Sequence, residues 1–87
     1  PVVSEAAVAE MARGVRDRLG ADVALATTGV AGPSPQEDQP VGTVYVAVAL
    51  GGKVETRLLH LGGNRQQIRQ FTVIGLLNLL RRRLLAA

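Results

Sequence analysis

The segment Ala26-Thr27-Thr28-Gly29-Val30-Ala31-Gly32-Pro33 is the first place where residue type and spacing suggest chemistry. Two hydroxyl residues stand at the end of an apolar run and are followed at once by glycine. At the carboxyl end of a buried strand, that order puts side-chain oxygens and unshielded backbone amides where α/β sheets hold ligands, and such amides can receive an anion. A plainer role is equally open: Gly29 and Gly32 permit positive φ in a sharp turn, and the threonines satisfy strand-end backbone groups. The segment is neither a Walker loop nor a dinucleotide-binding glycine fingerprint. A second arrangement of the same kind is Gly62-Gly63-Asn64-Arg65-Gln66-Gln67-Ile68-Arg69. Here a glycine-rich turn opens a helix whose first amides and dipole favour an anion, with Arg65 and Arg69 four apart on one face. Two guanidinium forks so placed could clamp a phosphate or carboxylate. Arginine is electrostatically disfavoured at a helix N-terminus, so a negative group should offset it. The alternative is that both arginines pair with nearby acids or point into water.

The remaining candidates carry less. His60 is the single histidine and sits in a strand pattern, which suits a structural imidazole better than a general base. With no cysteine beside it, no metal-binding set assembles. Ser4 and Ser34 are the two serines; the first reads as a helix cap and the second lies between prolines in a polar loop. A complete nucleophile, base and oxyanion set cannot be composed from these residues. Arg81-Arg82-Arg83 falls at a helix C-terminus and reads as pairing with the dipole. The other charges behind the net +3 are dispersed and lack interleaved aromatics, which argues against nucleic acid as a partner.

These residues must be held by a domain of 87 residues, 47% apolar and 20% charged, a composition that excludes a disordered tail or a collagen-like chain. The absence of cysteine removes disulfides and is compatible with the cytoplasm. There is no charged leader followed by an apolar run and no membrane segment, and the initial Pro1 suggests a fragment. Ser4 caps a helix in which Ala7, Val8, Met11, Val15 and Leu19 recur at spacings of three and four, ended by Gly20. Residues 22–28 predict a strand covered on both faces, at the centre of the sheet. Gly29 to Pro40, with three prolines and two glycines, predicts a long surface loop. Thr43–Leu50 and Lys53–Leu61, separated by Gly51-Gly52, predict a hairpin whose second strand lies nearer an edge. Asn64 then caps a helix from about Arg65 to Leu85, with apolar residues on more sides than one sheet face can cover. That helix requires more protein around it, either missing chain or another subunit in a homo-oligomer. The order helix-strand-loop-strand-strand-helix gives the α/β class, a three-layer α/β/α arrangement with a mixed sheet.

Thr28-Gly29-Val30-Ala31-Gly32-Pro33, Pro40-Val41-Gly42-Thr43-Val44-Tyr45-Val46-Ala47 and Gly63-Asn64-Arg65 with Ile68-Arg69 closely resemble the carboxyl-terminal domain of the CinA family. Val3-Ser4-Glu5 and the helix through Gly14 to Asp22 are similar as well, so the likeness extends over essentially the whole chain, as the second half of one such domain. The resemblance implies a nicotinamide mononucleotide deamidase, an amidohydrolase that converts the carboxamide to the acid and releases ammonia without a cofactor. It implies Thr28 and Gly29 beside the reacting group, Gly32 in substrate binding, and Arg65 and Arg69 either facing the anionic end of the mononucleotide or bracing the site. Family members carry an upstream Ser-Cys-Thr-Gly-Gly-type turn with the proposed nucleophilic serine, assisted by Lys and Tyr, and this chain has none of these. The segment Ser34 to Gln39 also lacks the family's glycine run. Two expectations follow: half of an amidase site, completed by a missing amino-terminal half, or a non-catalytic nucleotide-binding or regulatory module of the competence/damage-inducible type.

Overall fold

The computed structural model describes residues 2–30 and 39–86. Along the chain these form α1 (Glu5–Leu19), β1 (Val23–Gly29), β2 (Thr43–Leu50), β3 (Lys53–His60) and α2 (Arg65–Ala86). The Ser4 hydroxyl accepts the Ala7 amide at 3.1 Å, and Gly20 ends the helix in the left-handed region at φ 61. Both ends of α1 therefore follow the sequence signals.

The face of α1 that packs differs from the expected stripe. Val8, Ala9 and Ala12 are buried, whereas Met11, Val15 and Leu19 remain 43–76% exposed. The cause is alanine. Val8 and Ala12 sit against Ala24, Ala26, Ala47 and Ala49, and these small side chains let the helix lie close to the sheet. One turn on, the Arg16 guanidinium donates to the Gly51 carbonyl at 2.9 Å and ties the helix to the β2–β3 turn.

The sheet runs β1-β2-β3, with both pairings antiparallel. The parallel pairing that a mixed sheet requires is not among the described strands, though the α/β class and the element order are as expected. The central strand is β2 rather than β1. Val46, Ala47, Val48 and Ala49 have no exposed surface, the mark of a strand covered on both faces and both edges. β1 instead lies at one edge of the described sheet, ending in the exposed Thr27 and Gly29. β3 forms the other edge, joined to β2 through the Gly51-Gly52 turn.

The three layers are sharply divided. One side of the sheet meets α1; on the other, Val44, Val46 and Val48 pack with Ile68 and Leu79 of α2. At the head of β2, Gly42 adopts φ 94, and any Cβ there would collide with the Leu61 backbone. The close approach is held by hydrogen bonds from the Gly42 amide to the Val30 carbonyl and from the Leu61 amide to the Gly42 carbonyl. On α2, Phe71, Val73, Ile74, Leu77, Leu84 and Leu85 are each at least 44% exposed, so the sheet indeed leaves much of this helix's apolar surface uncovered. No helix among the described residues is long and apolar enough to cross a membrane.

Candidate functional site

Antiparallel register decides which threonine looks where, because residues opposite one another share a face. Thr27 pairs with Val46, on the α2 side, and Thr28 pairs with Tyr45, on the α1 side. The Thr28 hydroxyl donates to the Val2 carbonyl at 2.9 Å, tying β1 to the segment that precedes α1. Thr27 stands exposed.

At this end of β1 lies a cavity of about 130 Å³ lined by Thr27, Thr28, Gly29, Val44, Ile68, Arg69 and Thr72. Two segments far apart in sequence meet there: the strand end and the second turn of α2. Arg69 reaches the cavity because Ile68, beside it, is buried in the α2-side core and fixes the helix's rotation. Arg65, one turn earlier on the same helix, is exposed and is not part of this lining. Gly32 lies outside the described residues, as does Ser34. The sequence pattern marks Thr27 and Thr28 together and does not mark Thr72; β-strand alternation places the two adjacent threonines on opposite faces without saying which face meets the helix.

Gly29 is a strand residue and its φ is not positive. Its small size serves close approach instead: a Cβ would lie 2.7 Å from Val44 Cγ2 and 2.9 Å from the Thr43 carbonyl oxygen. The Val30 amide donates to that same Thr43 carbonyl at 2.9 Å. Successive amides of a strand point to opposite edges, so the Gly29 amide is directed away from β2, toward the edge of β1 that no described strand pairs with. It is a donor available to a group bound at the strand end.

The start of α2 is closed by a reciprocal capping box. The Asn64 side chain accepts the Gln67 amide at 2.9 Å, and the Gln67 side chain accepts the Asn64 amide at 2.8 Å. One of the helix's first amides, that of Gln67, is thus already satisfied. His60 is exposed at the end of β3 and does not line the cavity. Ser4 is occupied as the α1 cap. Among the described residues no group of His, Cys, Asp and Glu is arranged to hold a metal. Within the terminal arginine run, Arg83 approaches Glu55 at 3.8 Å, a pairing to a neighbouring strand in addition to its place in the last turn.

Residues 1–84 match the family model described as the CinA C-terminal domain. The chain is 52% identical over 82 residues to a CinA-like protein of Frankia casuarinae, covering 94% of this chain and 19% of that protein. Among solved structures, a CinA superfamily protein from Enterobacter cloacae superposes with a TM-score of 0.92 at 40% identity, covering 95% of this chain and 50% of that one. A CinA superfamily protein from Klebsiella pneumoniae gives a TM-score of 0.94 at 36% identity, with 99% and 54% covered. The chain therefore spans about half the length of these solved relatives and about a fifth of the curated one.

Proposed function

The chain belongs to the CinA C-terminal domain family, and from that premise we propose that it supplies half of an amidase site acting on nicotinamide mononucleotide. The observation that supports this reading is the cavity in which the carboxyl end of β1 meets Arg69 of α2. In this proposal the nucleophile is a serine on an upstream segment. Its oxygen attacks the carboxamide carbon and the carbonyl oxygen becomes an oxyanion. Collapse of the tetrahedral intermediate expels ammonia and leaves an acyl-enzyme, which water hydrolyses to the free acid and the regenerated serine. The chain's own contribution is electrostatic: the outward amide of Gly29 stands by the reacting group as a preorganised donor for the developing charge, while Thr28 beside it holds the strand end in place through its hydrogen bond to the Val2 carbonyl. Arg69 in the cavity and Arg65 one turn away attract the nucleotide's phosphate. The reaction requires no cofactor, and we assign it to the cytoplasm.

The exposed apolar side of α2 is the surface that the upstream half, or a second subunit, would cover. The second reading is a nucleotide-binding module without turnover: Ser4, the one serine among the described residues, is committed to capping α1, so any turnover depends on the upstream segment. Calorimetric titration with the mononucleotide, run beside an ammonia-release assay, separates the two. Binding with ammonia release supports the amidase; binding without it supports the regulatory module.

A further inference from the structure

A second basic cleft lies away from this site, between β3 and the later turns of α2. It is a cavity of about 200 Å³ lined by Arg57, Leu59, Gly75, Asn78, Leu79 and Arg82, and it shares no residue with the Thr27–Arg69 cavity. Its construction follows from register and helical periodicity. Arg57 pairs with Val46 and so faces α2. Gly75, Asn78, Leu79 and Arg82 are spaced three, four and seven apart, which puts them on one stripe of the helix. Gly75 lets strand and helix touch, since a Cβ there would come within 2.7 Å of Leu59 Cδ1.

The charges in this cleft are unbalanced. Among the described residues the ion pairs are Arg16 with Asp17 and Arg83 with Glu55; neither uses Arg57 or Arg82. No acidic side chain lines the cleft, and Glu55, the nearest acid on the same face of β3, is engaged by Arg83. Two guanidinium groups facing one cavity repel each other unless something negative lies between them. Guanidinium forks match phosphate oxygens in geometry, and Asn78 adds a neutral donor. Leu59 and Leu79 give the cleft an apolar floor.

We propose that this β3–α2 cleft is a second anion-binding site, taking the phosphoryl group of a small molecule between Arg57 and Arg82. The site is separate from the proposed amidase centre and does not depend on it. The test is titration of the full polypeptide that carries this domain with inorganic pyrophosphate at low ionic strength. Arg57→Gln and Arg82→Gln should each weaken binding about tenfold or more, since each removes a charge-assisted contact. Both residues are exposed, so the variants should melt with the unaltered protein. Because the Thr27–Arg69 cavity would hold pyrophosphate as well, the titration is repeated in an Arg69→Gln background, where the Arg57–Arg82 site should still bind and still respond to the two substitutions. The proposal is overturned if pyrophosphate does not bind, if the Arg57 and Arg82 variants bind it as the parent does, or if Arg69→Gln alone abolishes binding. A DNA duplex binding through Arg57 and Arg82 in preference to pyrophosphate would overturn the small-molecule assignment.

Discussion

Replacing Gly29 with alanine tests the link between the sheet and the site in one step. The added Cβ would stand 2.7 Å from Val44 Cγ2, 2.9 Å from the Thr43 carbonyl oxygen and 3.1 Å from Val44 Cα. Carbon atoms in comfortable contact sit about 3.5–4.0 Å apart, so each approach is short by roughly half to one ångström. Two of the three neighbours are backbone atoms of β2, and a change of rotamer cannot relieve them. Overpacking of this kind costs about 1–3 kcal/mol. In a domain of about 150–250 residues, each kcal/mol lowers the melting temperature by about 2–4 °C, which gives a loss of about 2–12 °C. Thermal melting of the full polypeptide, with mononucleotide titration on the same samples, reads both effects. Affinity should fall as well, because moving β1 away from Val44 also moves a wall of the Thr27–Arg69 cavity. Combining the change with Val44→Ala removes one of the three clashes, so the pair should be less destabilised than the sum of the singles. A Gly29→Ala protein that melts and binds like the parent would refute the close-approach argument.

Three further outcomes follow from the same contacts. Arg69→Ala should weaken nicotinamide mononucleotide about tenfold to a hundredfold while affecting the phosphate-free riboside less; Arg65→Ala, outside the cavity lining, should do so more weakly. Equal losses for nucleotide and riboside, measured by calorimetry, would instead assign the arginines to bracing the fold. Gly42→Ala should destabilise by more than about 2 kcal/mol, since it combines positive φ with a collision against the Leu61 backbone, and denaturant unfolding reads it directly. Gly14→Ala, in mid-helix with open space around its Cβ position, should stabilise by about 0.5–1 kcal/mol in the same assay.

The elements themselves were legible because local chemistry writes their ends. Ser4 and Gly20 bound α1, Gly51-Gly52 makes the hairpin, and Asn64 opens α2, each through a backbone requirement that neighbouring residues cannot override. What the sequence left open was tertiary. Helical spacing marks Met11 and Val15 as apolar, but the alanines of the facing sheet select Val8 and Ala12 for burial. The short apolar run of β1 resembles a central strand, and only pairing shows β2 between the other two. At the site, the sequence separates Arg65 from Arg69 by one helical turn, but it takes the burial of Ile68 to show which of them reaches the cavity. Gly29 was legible as a necessary glycine, while the reason, contact with β2 instead of positive φ, required the register.

The most direct measurement of the proposed function is ammonia release from nicotinamide mononucleotide by residues 1–87 alone, by the full polypeptide, and by the two halves mixed. The account predicts no release from residues 1–87, which should also bind hydrophobic dye through the exposed side of α2, and release by the full polypeptide, with recovery on mixing. A soluble monomer of residues 1–87 that turns the substrate over unaided, or a full polypeptide that releases no ammonia, would contradict it.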